Sequence, residues 1–234
     1  MVRLGLIGGL SWRATAYYYE IINKAVTKSL GDLENPKIII ESLCAEEVLN
    51  LLEQDDGLSL GKLLYNSIAR LSNCADIVAI ACNTVHPFVK LPKSLNAKFL
   101  SIMTPLKSEI ERRQLQKLGV ICTNFSYKHG FFRQLESTRS NLIFPDEIAM
   151  QIINKIIFKI CTHGPTDGDA RFLEKIIEDL ISNGAEAVIL GCTELGLINY
   201  KKSVRIKLLD TAKLHALALS NLAVFEPQLD LISA

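Results

Sequence analysis

The sequence lacks the features that mark several specialised classes of protein. Its 234 residues carry a net charge of only +1, and the basic residues are scattered, which argues against a nucleic-acid partner. No apolar run approaches the roughly 18 residues of a membrane span. Apolar residues make up 49% of the chain and charged residues 22%, so a substantial core is expected and long disorder is not.

The cysteines lack the spacing of a structural framework. Six are present, but none forms a CxxC pair, so neither a disulfide-stapled fold nor a zinc ribbon is indicated. The N-terminal apolar run faintly resembles a signal peptide, but Gly5, Gly8 and Gly9 within it suit a strand followed by a turn better. We therefore expect a cytoplasmic protein with reduced thiols and no membrane partner.

Short apolar runs alternate with helical patterns along the chain. From Phe172 to Ile181, for example, apolar residues are spaced for one face of a helix. This alternation predicts an α/β fold with parallel sheets that are covered on both sides. The strand candidates are Leu4–Ile7, Ile38–Ile40, Ile77–Ala81, Leu118–Ile121, Leu142–Phe144, Ala187–Leu190 and Ile206–Leu209.

The order of these elements repeats within the chain. The segment Ala75–Thr84 aligns with Ala185–Glu194 at an offset of 110 residues (position 82 with 192). Upstream, Arg3–Ile7 aligns with Lys117–Ile121 at an offset of 114 residues (position 3 with 117). Two half-chains therefore begin with the same strand and later place a cysteine after the same strand, which predicts two similar domains.

The paired cysteines, Cys82 and Cys192, each follow the end of a predicted strand. Ligands of open α/β sheets gather at this carboxyl edge. If the two halves are related by a pseudo-twofold axis, the two thiols approach one cleft from opposite sides. A thiolate on one side and a thiol on the other could racemise an amino acid: one removes the α-proton, the other returns a proton to the opposite face, and the roles exchange for the other enantiomer.

Both cysteines are followed by residues that suit a helix start. These are Asn83 and Thr84 in the first half and Thr193 and Glu194 in the second, and all four can cap or line a first turn. A helix N-terminus can lower the pKa of a cysteine from about 8.5 into a range of roughly 3.5 to 7.5. Its N–H groups also favour an anion such as a substrate carboxylate. Simple capping is the plainer alternative for Asn83, Thr84 and Thr193.

Other residues have plainer interpretations as well. His86 is either a cap or core histidine, or a functional residue. A metal site made of Cys82, His86 and Cys192 matches no common zinc spacing. The four remaining cysteines are expected to fill the core, as small apolar residues do. They are Cys44, Cys74, Cys122 and Cys161.

The glycines near the N-terminus invite a dinucleotide interpretation. The stretch Gly5–Gly9 lacks the GxGxxG order, and Glu41 is only a weak candidate for the acidic residue after the next strand. A nicotinamide enzyme is therefore a poor second choice. The glycines are expected to let a loop approach the cleft closely, with Ser11 as the cap of the first helix.

Three motifs taken together resemble the aspartate/glutamate racemase family, which needs no pyridoxal phosphate. They are Gly8–Trp12, Cys82–His86 and Gly191–Leu195, and the likeness runs over nearly the whole chain, through Asp210–Ala212. The His86 ending and the Glu194 after Cys-Thr resemble the aspartate racemase branch more than the dedicated glutamate racemases.

The resemblance implies two Rossmann-like domains, residues 1–102 with 211–234 and residues 103–210, with an active site between them. It also implies a homodimer that acts on aspartate or glutamate without cofactor or metal, with Cys82 and Cys192 as the acid/base pair. Related alternatives are a maleate isomerase, a hydantoin racemase or an amino-acid-binding protein without turnover. The residues expected to bind or enclose the substrate are Leu10, Ser11, Asn83, Thr84, Thr193 and Glu194.

The chain departs from the aspartate-specific pattern where basic side chains would hold a second carboxylate. Neither Ser42–Asp56 nor Cys161–Ala170 contains a Lys or an Arg. We therefore predict appreciable turnover of glutamate or an uncharged amino acid beside aspartate, measured by steady-state kinetics on single enantiomers. A preference for aspartate of about a hundredfold or more in kcat/KM would instead reveal a basic group supplied from another segment.

Overall fold

The computed structural model describes residues 2–138, 140–205 and 207–225. The strands are β1 (Arg3–Gly8), β2 (Lys37–Ser42), β3 (Ile77–Ile80), β4 (Lys98–Leu100), β5 (Lys117–Ile121), β6 (Asn141–Ile143), β7 (Ala187–Leu190) and β8 (Leu208–Asp210). The α-helices are α1 (Trp12–Leu30), α2 (Ala45–Glu53), α3 (Gly57–Ser72), α4 (Met103–Arg113), α5 (Asn124–Lys128), α6 (Glu147–His163), α7 (Asp167–Ser182), α8 (Lys202–Arg205) and α9 (Thr211–Val224). Short 3-10 helices cover His86–Phe88, Phe131–Thr138 and Thr193–Leu197.

The chain forms two compact units. The first runs to Ile102 and resumes at His215, and the second is Met103–Leu214. The chain therefore passes from one unit to the other after β4 and returns within α9. The last nine positions of the predicted first domain, 226–234, lie outside the described residues.

The first unit is built on a four-stranded parallel sheet in the order β2-β1-β3-β4. All four residues of β3 are buried, as are Leu4 and Ile7 of β1, because strands at the centre of such a sheet are covered on both faces. β2 lies at the edge, and its Ile39 and Ile40 remain exposed. Continuous apolar runs thus form the central strands.

The second unit repeats this plan in a parallel sheet with the order β6-β5-β7-β8. The register agrees with the sequence repeat: Leu4 pairs with Ile77 in the first sheet, and their aligned counterparts Leu118 and Ala187 pair in the second. The prediction of an α/β fold with two similar parallel sheets is confirmed.

In each sheet, the acidic residue directly before the second central strand (β3 or β7) binds the main chain at the start of the first central strand (β1 or β5). The Asp76 carboxylate accepts the N–H of Arg3 at 2.7 Å, and the Glu186 carboxylate accepts the N–H of Lys117 at the same distance. Each hydrogen bond lowers the pKa of the carboxyl group that accepts it. The repeat therefore includes side-chain contacts as well as strand order.

All seven predicted strands are present, with small changes at their ends. The last candidate is observed from Leu208, because Lys207 lies in a turn; Ile206 lies outside the described residues. β4 was not predicted, because its three residues form no apolar run and its first residue, Lys98, is exposed. Its place in the sheet comes from pairing with β3.

Two of the predicted helical features, the start of α1 and the amphipathic stretch in α7, show recognisable caps. Ser11 caps α1, with its Oγ accepting the N–H of Ala14 at 3.4 Å, as predicted, and Gly31 ends the helix. The apolar pattern from Phe172 to Ile181 lies in α7, which a reciprocal capping box begins. Among the helices of the described residues, none is both long and apolar enough to cross a membrane.

The loop between β1 and α1 lies against the end of β2. The carbonyl of Gly8 accepts the N–H of Leu43 at 3.0 Å, and Gly9 adopts a positive φ of 83°. A Cβ atom at Gly9 would lie 2.1 Å from the Leu43 carbonyl oxygen. Only glycine fits this position, for both steric and conformational reasons.

We predict that Gly9→Ala lowers the free energy of unfolding by about 2 kcal/mol or more, since the positive φ alone costs an L-residue about 1–2 kcal/mol. Thermal and urea denaturation measure the loss. Gly168→Ala in α7 is the control, because a Cβ there meets nothing closer than 3.6 Å and alanine favours a helix. Equal stability of the two variants would contradict the close approach.

Candidate active site

Cys82 lies two residues beyond the end of β3, at the carboxyl edge of the first sheet. Hydrogen bonding to β1 continues one residue beyond β3, because Ala81 donates its N–H to the carbonyl of Ile7 at 2.9 Å. Cys82 is half-buried and packs, with Leu10 from the β1–α1 loop, against the hydrophobic core of the first unit. Two of the predicted site residues thus contact one cluster although they come from different loops.

The chain after Cys82 does not enter an α-helix. It bends and forms only the three-residue 3-10 helix His86–Phe88, whose cap residue Val85 makes no side-chain capping bond. Asn83 is buried and its carbonyl accepts the N–H of His86 at 3.1 Å, while Thr84 is half-buried. The predicted helix start, with Asn83 or Thr84 as a cap, is wrong.

His86 is a buried histidine that ties Cys82 to the end of the first unit. Its Nδ1 lies 2.5 Å from the carbonyl oxygen of Cys82, and its Nε2 accepts the N–H of Ile102 at 3.3 Å. The ring therefore carries its proton on Nδ1. Burial lowers the pKa of His86 to about 4, so it is neutral near pH 7. The core-histidine alternative describes it correctly.

A second buried histidine, His215, was missed because no sequence pattern surrounds it. Its Nε2 donates to the carbonyl of Leu100 at 3.0 Å, and its Nδ1 accepts from the Tyr18 hydroxyl at 3.0 Å. Burial, and then the neighbouring His86, lower the pKa of His215 to about 3. Both histidines therefore hold the stretch 100–102, directly before the chain leaves the first unit.

Cys192 occupies the matching position at the carboxyl edge of the second sheet. Gly191 donates its N–H to the carbonyl of Ile121 at 2.7 Å, and the Thr211 hydroxyl donates to the carbonyl of Leu190 at 2.8 Å. A Cβ on Gly191 would lie 2.6 Å from the buried ring of Phe132. Phe132, another residue that the sequence did not indicate, thus lies directly against this segment.

The Cys192 thiol is hydrogen-bonded to a carboxylate two residues later. Its Sγ donates to Oε2 of Glu194 at 2.8 Å, and the Thr193 hydroxyl donates to the same oxygen at 3.2 Å. All three side chains are buried. Cys192 precedes a five-residue 3-10 helix and makes no side-chain capping bond, so an α-helical N-terminus is wrong here too.

The remaining cysteines differ in their surroundings. Cys122 is fully buried, and burial raises its pKa to about 12, so it is a core thiol as predicted. Cys74 and Cys161 are half-buried. Cys44 is exposed, which corrects the expectation that it fills the core. Among the residues that the structure describes, no group of three or more His, Cys, Asp and Glu side chains is placed to hold a metal ion.

Comparison with known proteins assigns the chain to a family. Residues 7–219 match the model of the Asp/Glu/hydantoin racemase family. The chain belongs to that family. Since racemases are isomerases, the prediction of an isomerase is confirmed, as is the resemblance on which it was based.

Solved structures of this racemase family share the fold over almost the full chain. A candidate Asp/Glu racemase from Yersinia pestis is 28% identical with a TM-score of 0.81, covering 96% of this chain and 100% of that one. An aspartate racemase homologue from Pyrococcus horikoshii is 27% identical with a TM-score of 0.76, covering 95% and 99%. The aspartate racemase of Picrophilus torridus, at 22% identity and a TM-score of 0.78 over 95% and 94%, shows the same fold.

The two buried histidines predict a loss of stability in mild acid. In the unfolded chain an imidazole binds a proton near pH 6.5, whereas folded His86 does so only near pH 4 and His215 near pH 3. The unfolded state therefore takes up more protons as the pH falls below 6.5. Urea denaturation at pH 7 and pH 5 should show a decrease in unfolding free energy of about 2 kcal/mol for each histidine.

Replacement of one histidine isolates its share of this effect. His86→Gln keeps a donor and an acceptor but does not titrate, so the decrease between pH 7 and pH 5 should shrink by about half. His163→Gln, at an exposed histidine, is the control and should leave the decrease unchanged. An unaltered pH dependence in His86→Gln would show that another group is responsible.

Proposed function

We propose that the protein is an amino-acid racemase that uses no pyridoxal phosphate and interconverts the L and D forms of aspartate, glutamate or both. The observation that supports this proposal is the equivalence of Cys82 and Cys192. Each lies two residues beyond the second central strand of a sheet, and the two sheets share strand order and register. Membership of the racemase family agrees with this chemistry.

The two thiols would work as a two-base pair on opposite faces of the α-carbon. One thiolate takes the α-proton, and the other thiol gives its proton to the opposite face, so each turnover exchanges the protonation of the pair. A thiol suits both roles, because its ordinary pKa of about 8.5 lies close to the working pH. Reduced cysteines are required, which accords with a cytoplasmic location.

The residues beside the thiols would hold the substrate. Asn83, Thr84 and Thr193 offer neutral hydrogen-bonding groups for its carboxylate and amino groups. The Ser11 hydroxyl caps α1, so Ser11 would act by shaping the loop, and half-buried Leu10 would form a wall. A homodimer that works without cofactor or metal completes the proposal, on the strength of the resemblance.

The decisive experiment follows α-proton exchange in deuterated water by NMR. A panel of single enantiomers of amino acids and hydantoins is incubated with the reduced protein. We predict exchange and inversion of an acidic amino acid by the wild type without added cofactor. Inversion of hydantoins alone would favour the hydantoin racemase alternative, and a folded protein that exchanges nothing would be a binding protein.

Cysteine variants test the two-base mechanism in the same assay. Cys82→Ser and Cys192→Ser should each lose racemisation by about 10²–10⁴-fold, since serine is far too weak a base. Each variant should retain exchange for one enantiomer only, and for opposite enantiomers. Cys44→Ser, at an exposed cysteine, is the control and should retain full activity. Exchange of the same enantiomer by both variants would rule out opposed thiols.

A further inference from the structure

Two residues after each cysteine, the two halves of the sequence differ in charge. At the repeat offset of 110 residues, the position of Glu194 corresponds to Thr84, and that of Thr193 to Asn83. The two cysteine segments therefore match in backbone position but differ in charge. This difference matters in a two-base mechanism. Before substrate binds, one of the two sulfur atoms must carry a proton and the other must not.

The bond between Cys192 and Glu194 is part of a buried, constrained turn. Both side chains are less than 10% exposed, at 6% and 4%, and their Sγ and Oε2 atoms lie 2.8 Å apart. The N–H of Leu195 donates to the carbonyl of Cys192 at 3.1 Å, which closes the turn. Thr193 donates to the same carboxylate oxygen. Glu194 is therefore oriented by two neighbours rather than directed outward.

The proton of this pair belongs on sulfur. In the structure the Cys192 thiol is the donor of the hydrogen bond and the Glu194 carboxylate is the acceptor. A carboxylate accepts a hydrogen bond but cannot donate one, so the contact requires the thiol form of Cys192. Ionising the thiol would break the bond and place a second negative charge beside the carboxylate, which disfavours ionisation strongly at a buried site.

Other charged groups near this segment are already engaged or lie in solvent. Asp210, at the end of β8, accepts the N–H of Lys213 at 3.0 Å. On α6, which contacts the Cys192 turn, Lys159 is paired with Asp169, and Lys155 is exposed. Cys122 beneath the turn stays neutral, because burial raises its pKa to about 12.

We propose that Glu194 is a positioning residue that keeps Cys192 protonated in the resting enzyme, so that Cys192 is the initial proton donor and Cys82 the initial base. This inference rests on the proposed racemase function and assigns Glu194 a role other than substrate binding. The proton balance is simple: Cys82 takes the α-proton of one enantiomer, and Cys192 gives its own proton to the opposite face. The thiolate is then on Cys192 and the thiol on Cys82, and the opposite enantiomer reverses both transfers.

The test is the alkylation of Cys192 in Glu194→Gln, which keeps the shape and an acceptor oxygen but removes the charge. The full-length protein is treated with iodoacetamide from pH 6 to pH 10, and each cysteine is followed by peptide mass spectrometry. We expect Cys192 to react roughly tenfold faster at pH 7, with the midpoint of its pH profile moved down by about one unit and its high-pH plateau unchanged. The profile of Cys82 should not move.

The rate of Cys192 alkylation at high pH, where the pH profile is flat, distinguishes an electrostatic role of Glu194 from a structural one. A higher plateau with an unchanged midpoint would mean that the substitution only opens the turn, and it would overturn the proposal. Slower alkylation of Cys192 would mean that Glu194 promotes the thiolate, and it would overturn the proposal as well. Glu174→Gln is the matched control, since it removes another buried carboxylate of the same unit that bonds to the main chain of Lys201.

One further measurement, and the fact that the assay needs no substrate, keep the inference testable on its own. If Glu194→Gln fails to fold, the wild type alone is informative: the midpoint for Cys192 should lie above that for Cys82, and the reverse order would contradict the proposal. Alkylation needs no substrate, so it is independent of the activity assay. If the protein is an active racemase but the alkylation profile of Cys192 is the same in Glu194→Gln, only this inference is refuted. An inactive protein that shows the expected shift refutes only the racemase function.

Discussion

The position of each candidate thiol depends on the last hydrogen bond of a central strand pair. In the first sheet Ala81 donates to Ile7 at 2.9 Å, and in the second Gly191 donates to Ile121 at 2.7 Å. Each bond extends the pairing of two parallel strands, which are buried where they approach the cysteine, by one residue and brings that cysteine to the carboxyl edge. Burial of the apolar strands therefore supplies the rigidity with which the two candidate thiols are held.

The two cysteine segments are stabilised by different chemistry beyond that bond. In the first unit a neutral imidazole, His86, joins the Cys82 carbonyl to Ile102, and His215 holds the neighbouring Leu100. In the second unit the carboxylate of Glu194 accepts a hydrogen bond from the Cys192 thiol itself, and Phe132 packs directly against Gly191. The same backbone arrangement thus places two thiols in different electrostatic surroundings, a difference that the proposed two-base mechanism would use.

Local sequence signals were reliable for strands and helices with a regular pattern of apolar residues, and unreliable for short turns. Positions that are buried must be apolar, so the spacing of apolar residues reveals the element that contains them. This holds for the apolar runs of β3 and β7 and for the helical spacing in α7. The capping residues after the cysteines were misleading, because Asn, Thr and Glu also suit tight turns and 3-10 helices. β4 escaped notice because three residues are too few to show a period, and only pairing with β3 makes them a strand.

The sequence by itself determined the α/β class, the internal repeat and the equivalence of Cys82 with Cys192, because these follow from the order and spacing of residues along the chain. The tertiary structure decided what surrounds each thiol. His215 meets Leu100 across 115 positions of sequence, and Tyr18 across 197, and no local pattern encodes such contacts. The Cys192–Glu194 bond is local, yet it too required the structure, since only the closed turn directs the carboxylate to the sulfur and away from solvent.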